Sequence, residues 1–539
     1  MISTSLGGIG MFLLGMILMT GGLKALAGQS LRAGLARATG NRFLSFATGA
    51  GLTALVQSSA AVTLTTIGFV SAGIMTFQQS VGVILGANVG TTFTGWIVSL
   101  LGLKLSIGAA AMPLIAVGAM IRLVSRDRIA AIGEAIAGFG LLFVGIDLLA
   151  TGMAGLVNRI DPSVFPEPTW LGRWVLVGIG FVMALVMQSS SAAMATTLAA
   201  LHAGNLNFDQ AAALIIGQNV GTTVSAGVAS LGGSTAARRT AASHILFNLT
   251  TCLAATLLLT PFIAIVKAGS PALEPAPGPV TLAAFHTVFN LGGALLFLPI
   301  IKPFARLIER LLPEHEPDLI RRLDVTLLRD PPTAVEAARR TAIDVAAVVI
   351  ETLRDYVTHG AAGTMRPRLE AADRALAETR LYLANVRTPE AARAAYQRHL
   401  STLHAVDHLD RLIEAAGEPR SARTAARDPA LRDMARGMLD EFDATLAWLK
   451  DVEKPAPAGV LEAMSKSLAE QRKQHRPRIL EDTAHGRLTP DEATDQLEAA
   501  RWVDRLGYHI WRAVLHLGET PVPVAPTGVH TDPANGGNG

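Results

Sequence analysis

Seven stretches of about 20 apolar residues run through the first 310 positions of this 539-residue chain, near 5–26, 80–100, 105–123, 131–155, 209–231, 240–266 and 281–303. A helix rises 1.5 Å per residue, so each stretch is long enough to cross roughly 30 Å of hydrocarbon. That feature constrains the fold more than any other, because in lipid every backbone polar group must be satisfied within the spanning element. Charge follows the same division. Residues 1–310 hold 16 Lys and Arg with 8 Asp and Glu, whereas residues 311–539 hold 30 and 35. The expectation is an all-α chain: a polytopic membrane domain over 1–312, a linker over 313–332, a cytoplasmic helical bundle over 333–517 and a disordered tail over 518–539. Residues 5–26 have no basic segment before them and read as a retained first helix. A single cysteine, Cys252, excludes a disulfide framework. The basic excess sits in loops flanking apolar runs, so nucleic acid is not an expected partner.

Two further stretches, 43–72 and 172–203, carry polar tripeptides at their centres, Gln57-Ser58-Ser59 and Gln188-Ser189-Ser190. With roughly 13–16 apolar residues on either side, each arm reaches only about 20–24 Å. The spacing predicts two re-entrant helical hairpins. With the N-terminus outside, the loops assigned to the inside carry nine Lys and Arg (Lys24, Arg32, Arg37, Arg42, Arg122, Arg126, Arg128, Arg238 and Arg239). Those assigned to the outside carry four, Lys104, Arg159, Arg173 and Lys267. That bias places the soluble part in the cytoplasm.

The tripeptides recur at an offset of 131, as do Gly86-Ala87-Asn88-Val89-Gly90-Thr91-Thr92 and Gly217-Gln218-Asn219-Val220-Gly221-Thr222-Thr223. Upstream, Gly10, Gly15, Leu18 and Gly22 match Gly140, Gly145, Leu148 and Gly152 at offset 130. The first 300 residues are therefore a duplication, with copies near 5–130 and 131–266 followed by a last helix at 281–303. Three crossings separate equivalent points, and an odd number inverts the second copy, the plan of many secondary transporters. A duplicated structural domain, with Ser and Gly serving only close packing, is the alternative.

Helix-start amides at a hairpin tip lack intrahelical partners and suit an anion. With the hydroxyls of Ser58, Ser59, Ser189, Ser190 and Ser191 they form donor-rich pockets. No Lys or Arg falls within the apolar interior of a run, Lys24, Arg122 and Lys302 lying at run ends, so a bound anion needs hydroxyls, amides and co-bound cations. Gln57, Asn88, Thr91, Thr92, Gln188, Asn219, Thr222 and Thr223 offer the neutral oxygens a monovalent cation accepts. His244/Asn248 and His286/Asn290 share an i, i+4 spacing that reads first as helix–helix hydrogen bonding. Asp147 is the one carboxylate well inside an apolar run, a functional suspect whose repeat partner is Ile17. No nucleotide-binding P-loop is present, so ATP-driven pumping has no support; the reading is a secondary carrier, not an enzyme.

The paired tripeptides, the Gly-x-Asn-Val-Gly-Thr-Thr blocks and Ala-Arg-Arg-Thr-Ala-Ala-Ser-His over 237–244 resemble the bacterial sodium–phosphate cotransporter family. The resemblance covers about residues 1–312. It implies sodium-coupled symport of inorganic phosphate across the cytoplasmic membrane, with both tips supplying the phosphate and sodium site and no cofactor beyond the sodium ions. A third Ser usually follows the family tripeptide; it is present as Ser191 but replaced by Ala60 in the first copy. Export, transport of another tetrahedral anion, and a membrane sensor that binds without transporting stay open. In the soluble part, residues 408–414 and 503–508 resemble the acidic motif of PhoU-like domains. That likeness implies a regulatory role with an unassigned soluble partner and weak metal binding at Asp410 and Glu414. Tyr508 stands where the second carboxylate belongs after Asp504.

Overall fold

A computed structural model describes residues 2–37, 41–104, 108–156, 166–167, 169–274, 276–314, 319–359, 362–390, 392–452 and 454–519. Every regular element among them is helical. The expected tail from residue 520 on, the loop with Arg159 and residues 315–318 of the linker lie outside the described residues, and within the linker Val325–Arg329 forms a 3-10 turn. The chain divides into two compact units, 1–315 and 316–539.

In the first unit, α1 (Ile2–Arg37), α2 (Arg42–Val56), α3 (Ser59–Ser71), α4 (Phe77–Trp96) and α5 (Gly108–Val124) precede α6 (Asp127–Leu156), α7 (Trp170–Met187), α8 (Ser190–His202), α9 (Phe208–Gly221), α10 (Thr223–Ala229) and α11 (Thr235–Leu257). Then come α12 (Leu259–Gly269), α13 (Pro279–Phe297) and α14 (Ile301–Leu311). Seven helical runs are long and apolar enough to cross a membrane. Their membership differs from the expected set. Trp170–Met187 qualifies with 18 residues, because Thr169 caps the helix by accepting the Gly172 amide and starts it two residues early. The run at 105–123 is represented by a shorter helix, described over Ala110–Val124 in that set. The run at 240–266 breaks at Leu258, three residues before Pro261.

Glycines hold the duplication together. A Cβ on Gly8 would lie 2.6 Å from the Leu149 amide, one on Gly15 2.8 Å from the Gly138 carbonyl oxygen, and one on Gly22 2.5 Å from that of Ala131. Reciprocally, Gly138 meets Gly15 and Met19, Gly145 meets Gly8 and Phe12, and Gly152 meets Ser5. Rising positions on α1 meet falling positions on α6, so the equivalent helices of the two copies run antiparallel. The reciprocity of the contacts is that of a pseudo-two-fold axis.

Within each copy the packing repeats residue for residue. Gly49 meets Val83, Gly86 meets Phe46 and Gly90 meets Ala50; at offset 131, Gly180 meets Leu214, Gly217 meets Val177 and Gly221 meets Phe181. Here rising positions match rising positions, so α2 runs parallel to α4 and α7 to α9. The connecting helices α3 and α8 must run back, which makes α2–α3 and α7–α8 helical hairpins. Their second ends turn alike as well, through Gly73 at φ +73° and Gly204 at φ +84°, conformations that cost glycine little. Thr76–Gln79 and Asn207–Gln210 capping boxes then start α4 and α9.

The second unit contains α15 (Pro331–His359), α16 (Ala362–Ala384), α17 (Arg393–Ala416), α18 (Pro419–Arg427), α19 (Pro429–Arg436), α20 (Leu439–Lys450), α21 (Ala458–Ala484) and α22 (Pro490–Gly518). Its core includes Val335, Leu376, Leu409, Phe442 and Val503. Buried Trp502 donates its indole N–H to the Ala415 carbonyl at 2.7 Å, fixing α22 against α17.

Candidate functional site

At each hairpin tip the chain leaves the helix the same way. Gln57 and Gln188 are left-handed, with φ of 56° and 52°, and Ser58 and Ser189 are extended. The Ser58 hydroxyl accepts the Ala61 amide and the Ser189 hydroxyl the Ala192 amide, each at 3.2 Å. The first serine of each tripeptide is thus an N-cap, satisfying one of the amides expected to face an anion. What remains for a ligand is the pair of amides and hydroxyls that open α3 and α8.

The two tips part ways in their side chains. Gln57 is buried and its Oε1 accepts the Thr94 hydroxyl at 2.9 Å, so that oxygen is occupied. Gln188 is exposed. The Ser191 hydroxyl then donates to Thr94 Oγ1 at 3.3 Å. Gln57, Thr94 and Ser191 form one chain of hydrogen bonds that joins the first tip to the second across the two copies. Thr94 was missed in the sequence, where it lies two residues beyond the repeated block.

Beside this chain is a small cavity lined by Thr91, Ser190, Ser191, Gln218, Asn219 and His286, with Met194 and Ile215 as apolar walls. Its free volume is about 10 Å³, room for one water-sized species. Ser59, Asn88, Thr92, Thr222 and Thr223 do not line it. The expected sodium set is therefore not gathered at one place. The Thr91, Thr92, Thr222 and Thr223 hydroxyls each donate to a backbone carbonyl three or four residues earlier, at 2.7 to 2.9 Å. Their lone pairs stay available as acceptors.

Gln218 is a residue the sequence reading passed over. It is 2% exposed; its Nε2 donates to Thr197 Oγ1 at 2.8 Å while its Oε1 has no partner. The signal was in the repeat, because Gln218 stands where the first copy has Ala87.

Next to the cavity the repeated asparagines meet. Asn219 Nδ2 donates to Asn248 Oδ1 at 2.8 Å and to Asn290 Oδ1 at 3.1 Å, and Asn88 Nδ2 donates to Asn248 Oδ1 at 3.3 Å. His244 Nε2 is 3.3 Å from Asn88 Oδ1. Asn248 and Asn290 each donate to the carbonyl of the histidine four residues back, His244 and His286. The His-x-x-x-Asn spacing thus does bond helices together, and it binds the repeat copies through α11 and α13. Asp147 lies on an exposed face of α6, outside the cavity lining.

With this geometry in view, comparison with known proteins is informative. A family model described as Na+/Pi-cotransporter matches residues 11–151 and 170–268. Over 269 residues the chain is 31% identical to a Bacillus subtilis relative, "Uncharacterized protein YqeW", covering 49% of this chain and 84% of that one. This chain belongs to the Na+/Pi-cotransporter family. Other relatives include the "Putative inorganic phosphate export protein YjbB" of Salmonella typhimurium, 29% identical over 45% of this chain and 43% of its own. The human "Sodium-dependent phosphate transport protein 2C" is 32% identical over 20% of each chain. The chain spans less than half the length of these last two. No solved structure matches. All the matched family residues fall in the first unit.

In the second unit, Asp410 is ion-paired with Arg380 at 2.9 Å, and Glu414 is exposed. Both line a groove with Glu370, Asp373, Arg366 and Arg423. Among the described residues no three His, Cys, Asp or Glu side chains are placed to hold a metal ion. One carboxylate committed to an arginine and one in solvent do not fit a metal centre. Asp504 pairs with Arg472 at 2.9 Å, burial nonetheless raising its carboxyl, and Tyr508 packs edge-on against His408 and Trp511.

Proposed function

We propose that the chain carries inorganic phosphate across the cytoplasmic membrane together with sodium, the two helical hairpins being re-entrant and their tips forming the phosphate site. The hydrogen-bond chain from Gln57 through Thr94 to Ser191 carries this reading, because it makes one site out of two inverted copies. Ser190 and Ser191 with the opening amides of α8 supply donors; Thr91, Asn219 and the unpartnered Gln218 oxygen supply acceptors for a cation beside them. A cavity that admits one water-sized species is too small for phosphate, so entry requires the tips to separate. That motion is the one alternating access needs of two repeats rocking about a fixed site. Moving divalent phosphate into a negative interior opposes two charges at roughly 2.3 kcal/mol each per 100 mV, and two sodium ions cancel that opposition. The second unit is proposed as a cytoplasmic, PhoU-like regulator of this flux.

Export is the second reading, favoured by the name of the Salmonella relative. Proteoliposomes holding the full chain decide between them. Labelled phosphate accumulating only under an inward sodium gradient supports the symporter. Sodium-independent efflux from loaded vesicles supports the exporter, and phosphate binding without flux in either direction overturns both in favour of a sensor.

A further inference from the structure

The last helix of the first unit, α14, has a face that neither phosphate nor sodium explains. Its 3.6-residue period sorts the sequence into three stripes. Ile301, Phe304, Ala305 and Ile308 are buried, and Ile301, Phe304 and Ile308 pack with Val81, Leu85, Phe247 and Leu298. Lys302, Arg306 and Arg310, at i, i+4 and i+8, form an exposed basic stripe. On the opposite flank Leu307 and Leu311 are 46% and 63% exposed. None of the three cations has an acidic partner among the described residues, and Glu309, the one carboxylate on the helix, pairs with none of them. Three like charges one turn apart repel each other, so leaving them unpaired costs the isolated helix stability.

The helix is also held firmly. At its start Arg42 donates to the Pro299 carbonyl at 2.9 Å; at its end Arg239 Nε donates to the Leu312 carbonyl, also at 2.9 Å. It follows directly on α13 within the apolar run Pro279–Leu311, and the break at Leu298–Ile300 contains Pro299. An exposed apolar flank, a basic flank and a position at the end of a spanning run together describe a helix lying in the membrane interface.

We propose that α14 is an interfacial helix whose Lys302, Arg306 and Arg310 bind the headgroups of anionic phospholipids, with Leu307 and Leu311 dipping into the acyl boundary. The proposal goes beyond phosphate transport and does not depend on it: the occupant is a lipid and the residues are absent from the cavity between the copies. Charge complementarity selects the lipid, since the leaflet facing the basic loops is the one whose anionic headgroups attract such stripes. Each cation near an anionic surface is worth roughly fivefold in affinity, so removing three is expected to cost about a hundredfold.

The test uses the full chain in neutral detergent, titrated with phosphatidylglycerol or phosphatidylcholine, with bound lipid read by native mass spectrometry and the thermal midpoint followed in parallel. Wild-type protein is expected to bind phosphatidylglycerol preferentially and be stabilised by it. Lys302→Gln with Arg306→Gln and Arg310→Gln should lose that preference by about a hundredfold while its phosphatidylcholine response stays unchanged. The charge-preserving variant Lys302→Arg with Arg306→Lys and Arg310→Lys should keep it. Equal phosphatidylglycerol affinity in the triple Gln variant overturns the proposal, as does displacement of the lipid by millimolar inorganic phosphate, which would make the stripe a free-anion site. Should the triple variant fail to fold, Arg306→Gln alone is expected to weaken binding about fivefold, and an unchanged affinity there overturns the proposal equally.

Discussion

The two copies share a backbone and differ in what they offer a ligand. The ends of α2 and α7, both ends of α3 and α8, the starts of α4 and α9, the left-handed glutamines, the serine caps and the glycine contacts coincide at offset 131. The polar side chains do not. The first tip buries Gln57 on Thr94; the second exposes Gln188. Ala60 and Ala87 in the first copy stand where the second has Ser191 and Gln218, and the cavity takes its polar lining chiefly from the second copy. The duplicated frame is thus symmetric, while the polar lining of the cavity is not. Close backbone approach demands the same glycine twice, whereas one substrate needs only one set of donors.

The largest expected effect tests the frame. A Cβ on Gly86 would lie 2.0 Å from the Phe46 carbonyl oxygen and one on Gly217 1.9 Å from that of Val177. Both neighbours are backbone and have nowhere to go, so Gly86→Val and Gly217→Val should each abolish recovery of monodisperse protein. Gly178→Ala, where nothing lies within 4 Å and the first copy already carries Ala47, should leave recovery unchanged. A normal yield from only one of the two Val variants would show that the copies do not bear equal structural weight.

Next comes the asymmetry of the tips. Ser190→Ala and Ser191→Ala should each lower phosphate affinity in flux assays by roughly ten- to a hundredfold, the worth of a hydrogen bond to a charged group. Ser59→Ala, outside the cavity lining, should cost less than either, and Ala60→Ser should change little. Equal losses at Ser59 and Ser190 would mean that both tips donate equally to phosphate and that the asymmetry is confined to this closed arrangement.

The duplication, and the positions of both hairpin breaks, were legible in the sequence because they rest on residue types that leave no alternative: glycine where backbones touch, and polar residues where a helix must stop inside an apolar run. Antiparallel packing of the copies followed from counting crossings. The site was legible only in part. Ser190, Ser191, Thr91 and Asn219 line one cavity, whereas the other residues singled out by their recurrence do not, so repetition marks the frame as well as any site. Thr91, Thr92, Thr222 and Thr223 recur, and the hydroxyls of all four bond back to a carbonyl three or four residues earlier. Gln218 does not recur, and it faces the cavity. The start of α7 was misjudged by two residues because the cap at Thr169 lies among prolines and acids that read as loop.

A smaller contrast lies in the glutamines. Gln57→Leu removes the acceptor of the Thr94 hydroxyl inside a buried chain, so it should destabilise the protein by about 1–3 kcal/mol. Gln188→Leu loses no bond and exposes no buried group, and its thermal midpoint should stay within experimental error of wild type. A drop for Gln188→Leu as large as for Gln57→Leu would mean that Gln188 is buried in the working protein, by the other state of the hairpin or by a ligand.

The smallest effect is expected where the sequence first raised suspicion. Asp147 and Ile17 occupy equivalent places on α6 and α1, and both side chains are exposed, Ile17 at 63%. A carboxylate inside a spanning helix is by default a functional suspect, because holding its charge in hydrocarbon is costly. Its placement argues otherwise. The cavity lies between α4, α8 and α9, with His286 of α13 closing it, and no side chain of α6 lines it. A carboxylate on the outer face that contributes nothing to the cavity should be replaceable by what the other copy uses. Asp147→Ile is therefore expected to leave the phosphate concentration for half-maximal flux unchanged within about twofold, and to raise the thermal midpoint slightly by removing a charge from an apolar surface. A flux loss of tenfold or more, with equal protein in the membrane, would show that the second copy carries function on its outer face as well as at its tip.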